Sequence, residues 1–145
     1  MRSTDLVLDA SATLAWLVRR IDPAEEQLAD EILSCVQARE ALVPALWFVE
    51  VVNGVLVAER RGGIGAATSA SFMGLVAALP IAEDSVRPPS AQASVLMLAR
   101  AYQLTAYDAT YLELILRTGR ALATFDRQLA EAVRKAGGRV FGDAA

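Results

Sequence analysis

Short apolar runs recur along the chain and alternate with longer stretches of helical periodicity. Leu6 to Leu8, Ala41 to Val43, a segment around Ile81, Ala121 to Phe125 and Val140-Phe141 are the short ones. A brief unbroken apolar run suits a strand covered on both faces, and strands alternating with helices predict a parallel α/β sheet. The segments between them carry helix punctuation. Ser11 is placed to cap a helix through Leu14, Trp16 and Leu17 to Arg19 and Arg20. Asp22-Pro23 with Glu25 marks the start of a second helix, which carries Leu28, Ile32, Leu33 and Val36. Pro44 opens a third that stops at Arg60-Arg61-Gly62-Gly63, and Ala66 to Leu79 reads as a fourth. Pro88-Pro89-Ser90 begins a helix to Tyr102. Thr105 and Asp108 form a capping arrangement for the next, which ends at Gly119. Arg127 to Ala136 is the last, closed by Gly137-Gly138. A chain of 145 residues with no evident linker predicts one domain over residues 1–145.

Such a scaffold binds ligands beyond the carboxyl ends of its strands, and that is where carboxylates fall. Asp9 follows the first strand and Asp126 follows Ala121 to Phe125. Asp108 stands near a helix start, where the positive end of the helix favours negative charge. Glu50 interrupts the apolar helix that Pro44 opens; from Ala41 to Ala58 only Glu50 and Asn53 have polar side chains, three residues apart. Each acid also has a plain structural use. Asp9 and Asp126 could cap the helices that follow them, Asp108 could be an early-helix acid, and Glu50 could pair with an arginine. Four such acids converging would repel one another, and a divalent cation is their natural partner.

Composition narrows the chemistry further. The chain has no histidine, which removes histidine-dependent nucleophilic catalysis, a histidine general base and histidine-ligated zinc. Its one cysteine, Cys35, lies among apolar residues and fits a small core position in a reducing compartment. With 14 basic and 17 acidic residues the net charge is −3, and lysine occurs only at Lys135. Any phosphate contact therefore falls to arginines, whose planar fork suits it. Residues 62–82 are free of charge but contain four glycines and Pro80. They read as a glycine turn and a packed helix rather than a membrane span, and a cytoplasmic protein is expected.

Four segments together resemble the PIN-domain ribonucleases, and in particular the VapC-like toxins of the VapBC toxin–antitoxin class. They are VLDASATLAWL (Val7 to Leu17), PALWFVEVVNG (Pro44 to Gly54), TAYDATYLELI (Thr105 to Ile115) and ATFDRQLAEA (Ala123 to Ala132). They occur in the family's order and span nearly the whole chain. The resemblance implies a three-layer α/β/α sandwich with a short, mainly parallel central sheet. It further implies an endoribonuclease dependent on Mg²⁺ or Mn²⁺, with Asp9, Glu50, Asp108 and Asp126 as its catalytic and metal-binding acids. Ser11 and Thr124 match polar positions lining the family's site, and Asn53 is read as a supporting amide near Glu50. Expected partners are an RNA substrate, a cognate antitoxin protein and a second copy in a homodimer, with no membrane. The competing reading is a PIN-like module that binds RNA or protein without catalysis. An aspartyl-phosphate enzyme is disfavoured, because Asp9-Ala10-Ser11 lacks a paired aspartate and Lys135 is the only lysine.

Overall fold

The computed structural model describes residues 5–144. Its elements run β1 (Leu6–Leu8), α1 (Ala10–Leu14), α2 (Pro23–Ala38), β2 (Ala41–Val43), α3 (Leu46–Arg60) and α4 (Ala66–Ala77). They continue with β3 (Ile81–Glu83), α5 (Ala91–Tyr102), α6 (Ala106–Thr118), β4 (Ala121–Ala123), α7 (Arg127–Lys135) and β5 (Arg139–Val140). The five strands form one sheet in the order β3-β2-β1-β4-β5, every pairing parallel. No helix among the described residues is long and apolar enough to cross a membrane.

Strand alternation sorts the apolar residues into two cores. Leu6 and Leu8 of β1 and Ala123 of β4 pack with Ile32 of α2, Trp47 and Val51 of α3 and Phe72 of α4. Val7 and Leu122 point the other way, into Leu112 and Ile115 of α6 and Leu129 and Val133 of α7. Helices therefore cover both faces of the sheet in a three-layer α/β/α sandwich, which is why its central strands are apolar at every position. The helix punctuation is well realised in places. Asp22 accepts from the Ala24 N–H, Thr105 accepts from the Asp108 N–H, and Gly119 takes the left-handed conformation that closes α6.

Several expected boundaries move. The helix assigned from Ser11 to Arg20 lasts only from Ala10 to Leu14. The chain then turns, and the Trp16 indole N–H reaches the Ala29 carbonyl of α2, 3.0 Å away. Ser11 does not cap this helix: Asp9 holds the N-cap position, and Ser11 lies inside the helix with its hydroxyl turned back toward Asp9. The strand expected over Ala121 to Phe125 stops at Ala123, and the N–H groups of Phe125 and Asp126 turn to side chains instead of the sheet ladder. Phe125 N–H donates to the Ser11 hydroxyl and Asp126 N–H to the Thr124 hydroxyl. The last strand is Arg139–Val140 rather than Val140-Phe141, although Phe141 N–H still bonds the Leu122 carbonyl at 2.8 Å.

Candidate metal centre

In the observed strand order, connections from β1 run toward β2 and β3, and the chain then crosses to β4 on the other side of β1. The carboxyl ends of β1 and β4 therefore flank the sheet's switch point, where α/β folds place their ligands. Asp9 leaves the end of β1 and Thr124 the end of β4. Both are only 7% exposed, so the polar groups of this crevice are held inside the molecule.

Two hydroxyls fix Asp9. Ser11 Oγ and Thr124 Oγ1 each donate to Asp9 Oδ2 at 2.6 Å, and the two hydroxyl oxygens lie 3.1 Å apart. Each hydroxyl also accepts a backbone N–H, so both donate and accept, and the carboxylate is held at once from α1 and from the loop after β4. Valine at position 124 would leave the Asp126 N–H without its acceptor and Asp9 Oδ2 with the Ser11 hydroxyl alone. Thr124→Val is thus expected to cost about 1–3 kcal/mol in urea melts. A change below about 0.5 kcal/mol would make the hydroxyl dispensable to the fold.

The other acids approach from the two helical layers. Glu50 is half-buried on α3 and accepts a 2.7 Å hydrogen bond from the Tyr111 hydroxyl of α6. Asp108 is half-buried in the first turn of α6. Asp126 caps α7, its Oδ1 accepting from the Leu129 N–H at 3.0 Å, so the capping role open to it from sequence is realised. Asn53 is not brought in. Trp47, Val51 and Val55 form the buried stripe of α3, Glu50 borders it, and Asn53 lies round the helix on the exposed side. Sequence inspection also passed over Tyr111, which is wholly buried. Its signal was its place one turn after Asp108, on the same helical face.

The acids sense one another. Burial, then Asp126, then Asp9, push the Asp108 carboxyl up to about 6. Burial raises Asp9 as well; the Ser11 and Thr124 hydroxyls pull it back in part, and Asp126 adds repulsion. Glu50 is raised by burial against the pull of the Tyr111 hydrogen bond, with Asp9 and Asp108 pushing the same way. No basic side chain is among the groups shifting these three. Among the described residues, however, no three ligating side chains already stand at the spacing of an ion cage. The donor chemistry nonetheless fits a hard divalent cation: all-oxygen, acidic, partly buried and without a competing cation.

The Asp108 shift has a pH consequence in chelator. Its folded value of about 6 exceeds its ordinary 3.8, so the folded state holds this proton more tightly than the unfolded state. Stability from this group is full below the lower value and is lost as pH rises toward the upper one. Urea melts in EDTA should show wild type losing ground to Asp108→Asn between pH 4 and 6, by about 1 kcal/mol after solvent screening. A constant difference across that window would show that Asp108 is not strained by its neighbours.

Comparison with known proteins identifies the family to which this fold belongs. The PIN domain family model matches residues 6–135. A solved structure described as that of PAE2754 from Pyrobaculum aerophilum is similar at 25% identity with a TM-score of 0.63, covering 89% of this chain and 79% of that one. No curated protein matches the sequence significantly. PIN domains are generally nucleases that depend on divalent metal ions. With the family model matched over most of its length, the chain belongs to the PIN domain family.

Proposed function

We propose that this protein is an endoribonuclease dependent on Mg²⁺ or Mn²⁺, with Asp9, Glu50, Asp108 and Asp126 as its acidic centre. The observation that carries the reading is the gathering of Asp9, Glu50 and Asp108 at the switch point, each raised by burial and by neighbouring carboxylates with no basic side chain among the causes. Asp9 and Asp108 would hold the ion directly. Glu50 would ligate it or orient water, and Asp126 would contribute the oxygen not used in capping α7. A bound divalent cation supplies Lewis-acid activation of water and offsets charge on the phosphate oxygens. Ser11 and Thr124 keep Asp9 in one orientation, so the site does not have to be rebuilt at each turnover. With no histidine in the chain, hydrolysis by activated water needs no protein nucleophile. It should leave a 5′ phosphate and a 3′ hydroxyl.

Arg127, which opens α7 beside Asp126 and is exposed, is available for RNA. Arg20, 4.5 Å over the Phe125 ring, is paired with Glu25 and would have to exchange that partner for a phosphate. The resemblance to VapC-like toxins supports a toxin role with a cognate antitoxin, and a homodimer. A protein partner is also supported by apolar side chains left in solvent on α3 and α4: Val49, Val52, Leu56 and Leu75. The test is RNA cleavage by purified protein with Mg²⁺ or Mn²⁺, stopped by EDTA, with product ends mapped. Co-purification with the product of the neighbouring gene tests the antitoxin. RNA binding without metal-dependent cleavage would favour the non-catalytic module.

A further inference from the structure

We infer that Tyr111 is a positioning residue of this centre, its hydroxyl holding the Glu50 carboxylate where a divalent cation can use it. The inference rests on the metal-centre reading above, and its geometry is this chain's own. Tyr111 is wholly buried, and its hydroxyl must find a partner inside the protein. A carbonyl of its own layer would satisfy it. Instead it reaches Glu50, 61 positions away in sequence, on a helix packed against the opposite face of the sheet.

Glu50 needs such a partner. This is the one hydrogen bond it makes among the described residues, and its neighbours Val49 and Val52 are exposed. A glutamate at the border of a buried stripe is otherwise free to swing into water, and ordering its side chain costs entropy. A phenol suits the task better than an arginine would. It donates one directed hydrogen bond and adds no charge, so the carboxylate is oriented without losing its attraction for a cation. The Asp108–Tyr111 spacing puts donor and acid on one face of α6. That face therefore delivers one carboxylate and steadies another.

The test is Mn²⁺ binding by calorimetry to wild type, Tyr111→Phe, Glu50→Gln and the double variant. Phenylalanine keeps the ring and removes only the hydroxyl. Mn²⁺ should bind Tyr111→Phe about tenfold more weakly than wild type. In the Glu50→Gln background the same substitution should change affinity by less than about twofold, because its effect runs through Glu50. Melting in EDTA checks the fold, and any general loosening would weaken binding equally in both backgrounds. Equal loss in the two backgrounds, or unchanged binding in Tyr111→Phe, would make Tyr111 a packing residue only. If Glu50→Gln alone weakens binding, the Tyr111 inference fails while the metal centre stands. If wild type binds no Mn²⁺, both fall together.

Discussion

Asp9→Asn and Asp108→Asn are each expected to lower Mg²⁺-dependent RNA cleavage by more than about 100-fold, beyond the loss typical of residues that merely support a metal ligand. The metal-free fold should survive both changes. At Asp9 the asparagine oxygen can still accept from Ser11 and Thr124, while the charge that burial and Asp126 disfavour is gone. At Asp108 the relief is larger, because burial, Asp126 and Asp9 all raise its carboxyl and its side chain makes no compensating hydrogen bond among the described residues. Melting temperatures in EDTA should therefore be unchanged or higher in the variants. The order should reverse with metal. Saturating Mn²⁺ at 100 times its dissociation constant stabilises wild type by about 2.7 kcal/mol, and the variants should gain much less. Capping or salt-bridge aspartates behave oppositely, costing about 0.5–2 kcal/mol when removed. Two unstable variants that still cleave RNA would return these residues to the scaffold.

That contrast follows how much of the molecule can be read from its residues. The short strands and most helix starts were legible because they depend on local chemistry: Asp22 before Pro23, Thr105 three residues before Asp108, Gly119 after α6. The positions of Asp9 and Asp126 past their strands were legible for the same reason. What side chains do once packed was not. Ser11 has every credential of an N-cap, but the end of β4 lies beside it, and its hydroxyl serves Asp9 and Phe125 instead. Asn53 shares a helical spacing with Glu50, but it sits further round α3 from the buried stripe and is exposed. Tyr111 reads as one more apolar residue in YLELIL until α3 is known to end its hydroxyl's reach. Periodicity says which residues a helix buries, and the neighbouring layer decides what they meet.

A second large effect is expected away from the centre, at Arg117, whose cluster could not be foreseen because its members come from β3's exit loop and the end of α6. The Arg117 guanidinium donates to Asp84 Oδ2 at 2.6 Å, to Glu113 Oε2 at 2.7 Å and to the Val86 carbonyl at 3.3 Å. Its side chain is 22% exposed and those of Asp84 and Glu113 only 9%. Burial pushes Asp84 up, yet its bond to Arg117 leaves the carboxyl below its ordinary value. Arg117→Leu would leave two enclosed carboxylates without the guanidinium that bridges them, with only the through-space pull of Arg87 left on Asp84. Removing one partner of a buried ion pair costs about 3–5 kcal/mol, so a loss of about 3 kcal/mol in urea melts at pH 7 is expected here, given the partial exposure. Arg117→Lys keeps the charge but not the fork, and should fall between. The pH dependence gives an independent check. With the Arg117 bonds gone, burial would raise Asp84 in the folded variant against the weaker pull of Arg87, and stability would then be lost as pH rises through its new value. The variant should accordingly recover part of its loss at pH 5, and adding Asp84→Asn with Glu113→Gln should recover it at pH 7. A loss below about 1 kcal/mol, insensitive to pH, would mean that this cluster behaves as an ordinary surface pair.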